Sequence, residues 1–381
     1  MAIQTIPINP AFARLHKSVE SHFNRVVRGV DKALGRVGLG GRKAPYDDER
    51  YTFEGGERGA LRKKHYDKSL RLLWKAEMNA PYLDFRDATK DEKKLEQLAE
   101  KELSSDERRE RKRMSTDEFR RVLEENYTPR QRQALVSILS AIGHGEAYAW
   151  MVSNELLGEV KGTGGRAALT MQVLEEAKHF VVMRELLRSF ELEIPRLSGW
   201  EYVLLEQILK AEGLEKFFGM NVVVEGIALS IFGLLASYPG MEILRLFHLD
   251  ESRHTALPIN YLKEFPLSSW KQHSPFTRLY RFHMVAPIIP FLFYMEDDLA
   301  ALGIDAFEFG GSVIRKLLHL AERAGFYLPM PATFYLKLFD VIFNLYCYIS
   351  RENHSYRAFS SSETTLGEHE RAVENEVFAA A

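Results

Sequence analysis

The chain has 381 residues, 46% hydrophobic and 27% charged, enough for a large core or two to three subdomains. A formal net charge of −2 supplies no overall attraction to nucleic acid or to an acidic membrane. One cysteine, Cys347, excludes an internal disulfide framework and fits a reducing, cytoplasmic setting.

In chain order, the first apolar run is broken by Pro7 and Pro10 and followed by charges, so it does not read as a signal peptide. Residues 1–128 read as a charged helical N-terminal extension. Within it lie an amphipathic stretch from Ala11 to Leu34, the Gly-rich Gly38 to Gly41 and a helical candidate from Gly59 to Met78. The mixed-sign run from Lys90 to Arg113 reads as a solvated helix or loose segment rather than a nucleic-acid contact. Residues 129–265 read as nearly continuous helix, punctuated at Gly162 to Gly165 and interrupted by Pro195 and Ser198-Gly199. Residues 266–381 form a C-terminal helical extension with a polar tail after Ser360. Its aromatic segments, His283 to Tyr294 and Phe334 to Tyr346, leave several roles open: packing over the core, a homodimer interface, an apolar substrate channel, or a docking face for a bilayer or partner. Cys347 directly follows the second of these segments, in Phe-Asn-Leu-Tyr-Cys-Tyr-Ile, and reads as a packed core thiol. Period-2 alternation is absent, so the fold class is all-α, and no uncharged run reaches the length of a membrane span.

The chemistry is carried by two matching words, Glu175-Glu176-Ala-Lys-His179 and Asp250-Glu251-Ser-Arg-His254. Each follows a lone glutamate in an apolar helical stretch, Glu146 before the first and Glu225 before the second. A single Glu-x-x-His arises about once by composition alone, so the weight rests on the ordered set. Four glutamates and two histidines can hold two iron or manganese ions in a four-helix bundle, and four carboxylates balance two divalent cations. The 30 residues from Glu146 to Glu176 and the 26 from Glu225 to Glu251 each allow a helix, a turn and an antiparallel return. The 49 between Glu176 and Glu225 leave room for a crossover. Within each word Glu and His are three apart and share a helix face. That face also carries Leu169, Val173, Phe180 and Met183, so the polar residues interrupt a buried stripe. His144, two before Glu146, points off the stripe and reads as structural; Tyr148, two after it, also points elsewhere.

Residues 130–265 resemble the ferritin-like di-iron carboxylate superfamily. Asn221-Val-Val-Val-Glu225-Gly and Asp250-Glu251-Ser-Arg-His254 resemble the second half of the ribonucleotide reductase small subunit, its ligand-binding oxidase relatives and the acyl-carrier-protein desaturases. The resemblance implies a ferritin-like four-helix bundle flanked by additional helices. It also implies one metal on Glu146, Glu176 and His179 and the other on Glu225, Glu251 and His254, with Glu176 and Glu251 as bridging candidates. Asp250 would accept the free N–H of a ligand histidine. Glu175 is its counterpart in the first word, either as an equivalent acceptor or as a solvated carboxylate.

Two departures narrow the resemblance. The reductase's radical tyrosine falls here on Met183, which disfavours a radical-storing subunit. The long flanking regions and the lack of a Cys-x-x-Cys disfavour a ferritin- or rubrerythrin-like role. His248, three before Glu251, resembles the extra histidine of the arylamine N-oxygenases, although there the offset is four; it reads either as a seventh ligand or as a hydrogen-bonded core histidine. The expected function is therefore an O2-dependent di-iron (or Fe/Mn, or Mn) monooxygenase or oxidase acting on a small, apolar or aromatic molecule. Electrons would come from a separate reductase or ferredoxin, since Gly162-Thr-Gly-Gly165 is no nucleotide fingerprint. The alternatives are a radical or redox subunit and a non-enzymatic iron-handling helical protein.

Overall fold

The computed structural model describes residues 5–37, 117–351 and 356. Gly38 to Gly41, the Gly59–Met78 helix candidate, the Lys90–Arg113 run and the tail after Ser360 lie outside the described residues. Helices are the regular structure among the described residues, which contain no strand.

Helix α1 (Pro10–Arg36) covers the stretch expected to be amphipathic, with Asn9 accepting from the Ala11 N–H and Pro10 in the first turn. Helix α2 (Asp117–Asn126) precedes α3 (Pro129–Glu159), which opens with a capping box between Thr128 and Gln131. Only Val160 to Gly162 separate α3 from α4 (Thr163–Ser189), and Gly162 takes φ +74°, a left-handed conformation that favours glycine. The crossover carries α5 (Gly199–Lys210), which starts after Pro195 with Ser198 accepting from the Glu201 N–H.

The second half begins with a single turn, α6 (Glu215–Phe217). A π-helical segment (Phe218–Val224) joins it to α7 (Glu225–Leu235), and α8 (Leu244–Glu264) returns alongside. Beyond lie α9 (Ser269–His273), α10 (Pro275–Val285), α11 (Ile288–Ala301), α12 (Ala306–Arg323) and α13 (Ala332–Ser350).

Two antiparallel pairs dominate the packing, α3 with α4 and α7 with α8. In the first, Glu146 faces His179 and Ser153 faces Gln172; in the second, Glu225 faces His254 and Phe232 faces Phe247. The pairs join along α4 and α8, where His179 meets Asp250 and Glu175 meets His254. The flanking regions close over them: α1 packs on α5 and α11, and α11 packs on α3. Phe23 of α1 stacks on Trp200 at 3.9 Å, and buried Glu20 accepts from the Gly199 N–H. One apolar cluster runs from Phe119 through Met183 and Phe232 to Cys347, so all three sequence zones share a core.

Among the described residues, two stretches are long and apolar enough to cross a membrane, by length and composition only: Glu215–Leu235, mostly buried, and Ala332–Ser350, mostly exposed. Lys337 and Asp340 interrupt the second, and for that reason it escapes a search for uncharged runs.

Candidate metal centre

Glu146 projects from α3, Glu176 and His179 from α4, Glu225 from the start of α7, and Glu251 and His254 from α8. All six are at most 3% exposed, so none can rely on water for solvation. Their ligating atoms fall into two groups, each within 4.8 Å: Glu146, Glu176, His179 and Glu251, and Glu176, Glu225, Glu251 and His254. Glu176 and Glu251 belong to both groups, the place the resemblance gave to the bridging candidates.

The histidines reveal how the groups are built. His179 Nε2 lies 2.9 Å from Asp250 Oδ2, and His254 Nε2 lies 2.9 Å from Glu175 Oε2. Each word thus supplies the acid that holds the other word's histidine, and Glu175 is an equivalent of Asp250 rather than a solvated carboxylate. Asp250 and Glu175 are both held below the ordinary carboxylate range. Burial pushes each up, but bonds to the histidines and the nearby Arg253 outweigh it. An ionised acceptor requires an N–H, so Nε2 of each ring carries a proton and Nδ1 is the atom left for the interior.

Each Nδ1 then faces three carboxylates. For His179 the distances are 3.2 Å to Glu146, 3.1 Å to Glu251 and 3.7 Å to Glu176. For His254 they are 2.9 Å to Glu176, 3.1 Å to Glu251 and 3.6 Å to Glu225. Lone pairs converging from an imidazole and three carboxylates repel unless a cation lies among them. Both oxygens of Glu176 and one of Glu251 are sealed from solvent without a hydrogen bond. This donor set fits hard or borderline divalent metals such as iron and manganese.

Proton affinities express the same demand. Burial pushes Glu146 and Glu225 well up, and neighbouring carboxylates push in the same direction. Burial opposes the charged form of both imidazoles, yet the surrounding carboxylates more than offset it and raise them well above the usual value. Glu176 is held low, burial being outweighed by His254 and His179.

Supporting residues that the sequence reading passed over surround this centre. Gln172, four before Glu176, donates to Glu225 Oε1 at 3.3 Å and to Ser153 at 3.0 Å. Asn221, four before Glu225, donates to Gln172 Oε1 at 2.9 Å and to the His254 carbonyl at 3.0 Å. That carbonyl is free because Pro258, inside α8, has no N–H to return to it. The π-helical segment brings Asn221 to this place, and its Gly219 is forced: a Cβ there would lie 2.7 Å from both Ile208 Cγ1 and Met284 Sδ. The cations within the two words also serve. Lys178 donates to Asp250 at 2.8 Å, and Arg253 bridges Asp250 and Glu175. The i−4 spacing of Gln172 and Asn221 and the Lys/Arg before each histidine were the available signals.

His248 lies outside both groups. It is buried on α8, and its Nδ1 pairs with the Leu229 carbonyl at 2.9 Å. His144 is buried with Nδ1 3.7 Å from Glu201, while the Tyr148 hydroxyl donates to Glu206 at 3.1 Å. Both turn toward α5, away from the centre, as their spacing suggested.

A cavity of about 120 Å³ adjoins the centre on the side of Glu146 and Glu225. Helices α3, α5, α7, α11 and α12, with Val224 of the π-helical segment, wall it, and among the described residues its polar lining side chains are Glu146, Glu201 and Glu225. Compared with known proteins, the chain is matched by no family model, no curated protein and no solved structure.

Proposed function

We propose that this chain is a ferritin-like dimetal oxidoreductase, a four-helix bundle whose two pairs hold two iron ions (or Fe/Mn, or Mn) and whose activity is O2-dependent oxidation of a small apolar or aromatic molecule. The observation that carries the reading is the paired arrangement in which each histidine is fixed through Nε2 by an acid and turns Nδ1 into a nest of carboxylates. Glu146, Glu176, His179 and Glu251 would hold one ion, and Glu176, Glu225, Glu251 and His254 the other. Such a pair of ions supplies O2 reduction and substrate oxidation when bound.

The remaining chemistry belongs to the chain. Asp250 and Glu175 hold the Nε2–H of the two imidazoles, which leaves Nδ1 as the nitrogen that would meet a metal ion. Gln172, itself held by Asn221, orients Glu225. The apolar cavity excludes water and presents a substrate's carbon skeleton to the side of the centre bounded by Glu146 and Glu225, which favours an oxygenase over an iron store. Electrons would be delivered by a separate reductase or ferredoxin in a cytoplasmic setting.

The test is metal content and turnover. Protein purified from iron- and manganese-replete cells should carry about two transition metals per chain by mass spectrometry, as two clustered donor sets require. Glu176→Ala or Glu251→Ala, each removing a carboxylate common to both groups, should lose both ions, whereas Glu146→Ala should spare the second. Retention of full metal content in the first two variants would end the dimetal reading.

A further inference from the structure

A second cavity of about 70 Å³ is walled by α10, α11, α12, α13 and the π-helical segment, with Phe282, Tyr335 and Phe339 among its lining. It shares Ile288, Ile289 and Ile314 with the cavity at the metal centre, so these three side chains form the partition between them. At its outer end the lining reaches the surface, since Phe282 is 39% exposed. Two apolar cavities therefore lie in series between the surface at α10 and α13 and the side of the centre bounded by Glu146 and Glu225, separated by this partition.

The surface around that outer end is unusual. Helix α13 exposes Phe334, Leu338, Val341, Leu345 and Tyr348, a stripe at helical spacing, and α10 exposes Phe276, Leu279 and Tyr280. The two helices meet where Phe282 stacks on Tyr335 at 6.0 Å. Trp270, on neighbouring α9, is 69% exposed. Apolar patches of this kind mark an interaction site. Charge identifies the occupant. From Phe265 to Met295 the chain has Lys271, Arg278 and Arg281 but no Asp or Glu. Arg281 is buried against Glu215, whereas Lys271 is exposed and Arg278 half-exposed. On α13 the lone acid, Asp340, accepts from Tyr356, while Lys337 is exposed. Turned against a second copy, α9 and α10 would oppose cation to cation. An anionic bilayer instead meets cations at headgroup depth, aromatic rings at the interface and apolar residues below.

We propose that α9, α10 and α13 seat this protein on a lipid bilayer, and that a lipophilic substrate passes from the bilayer between α10 and α13 to the metal centre. Helix α13 lies in the interface and does not cross it, because Tyr335, Phe343 and Cys347 hold it to the protein along its length. The seat stands on the surface alone; the fate of the substrate rests on the oxidoreductase reading.

Flotation of the full chain with phosphatidylcholine vesicles containing phosphatidylglycerol tests the seat without reference to metal. The wild type should float, and pairing Phe276→Ser with Leu279→Ser, or Leu338→Ser with Leu345→Ser, should lower the bound fraction by about tenfold. Circular dichroism would establish that these surface variants fold. A wild type that stays at the bottom of the gradient overturns the proposal, as does a stable dimer by light scattering that the α13 pair dissociates. For the route, the polyene chain cis-parinaric acid should bind the wild type and Ile289→Val but bind Ile289→Trp about tenfold more weakly, since the indole fills the partition. Equal binding by all three would remove the route while leaving both the seat and the metal centre standing.

Discussion

Replacing Asp250 by asparagine probes the centre without touching a ligand. Asp250 Oδ2 lies 2.9 Å from His179 Nε2, and as an ionised acceptor it obliges that nitrogen to carry the proton. Asparagine can present its amide N–H2 instead, letting the ring shift its proton to Nδ1, the atom directed at Glu146 and Glu251. Loss of such an outer hydrogen bond weakens metal binding by about 10–100-fold, or about 1.4–2.7 kcal/mol. Because His179 belongs to one group and His254 to the other, the loss should fall on one ion. Titration with Mn2+, followed by equilibrium dialysis and mass spectrometry, should give one unchanged and one weakened site. Glu175→Gln should weaken the complementary site through His254. Lys178→Met, which removes a donor to Asp250 but leaves its carboxylate in place, should change affinity little. Equal loss at both sites in Asp250→Asn, or no loss at either, would refute the tautomer argument.

The metal-free protein should become less stable as pH rises. Glu146, Glu225, His179 and His254 all have raised proton affinity in the fold. The folded chain therefore binds more protons than the unfolded chain above about pH 4.5 for the glutamates and about pH 6.5 for the histidines, and the stability this confers is lost as pH climbs through the folded values. Bound Mn2+ displaces those protons, so the Mn2+-induced rise in thermal midpoint should grow from pH 6 to pH 8; a constant or shrinking rise would contradict the assignment. Asn221→Ala should leave the His254 carbonyl and Gln172 without their donor, at a cost of about 1–3 kcal/mol in urea unfolding. It should also loosen Glu225 and lower affinity at the second site, whereas a stable variant with unchanged affinity would remove Asn221 from the centre.

The sequence by itself carried the helical class, because apolar residues at helical spacing and the absence of alternation are local signals. It also carried the six polar residues of the centre: a carboxylate in an apolar stripe is costly wherever the helix lies, so Glu146 and Glu225 stood out before any partner was known. The spacings of 30 residues from Glu146 to Glu176 and 26 from Glu225 to Glu251 allowed an antiparallel return within each pair, and the structure makes it, with three residues between α3 and α4. Tertiary structure decided what depends on contacts between distant segments. That Asp250 serves His179 and Glu175 serves His254 follows from α4 lying against α8, a relation between words about 75 residues apart that no local pattern encodes. The link from Pro258 through the His254 carbonyl to Asn221 likewise requires the π-helical segment to meet α8. His248 could be read two ways from its spacing, and the Leu229 carbonyl on α7 supplies its observed contact. The aromatic C-terminal zone divided in the same manner. Phe343 and Cys347 are buried while Val341 and Leu345 are exposed, because one face of α13 packs against the rest of the fold and the other faces outward.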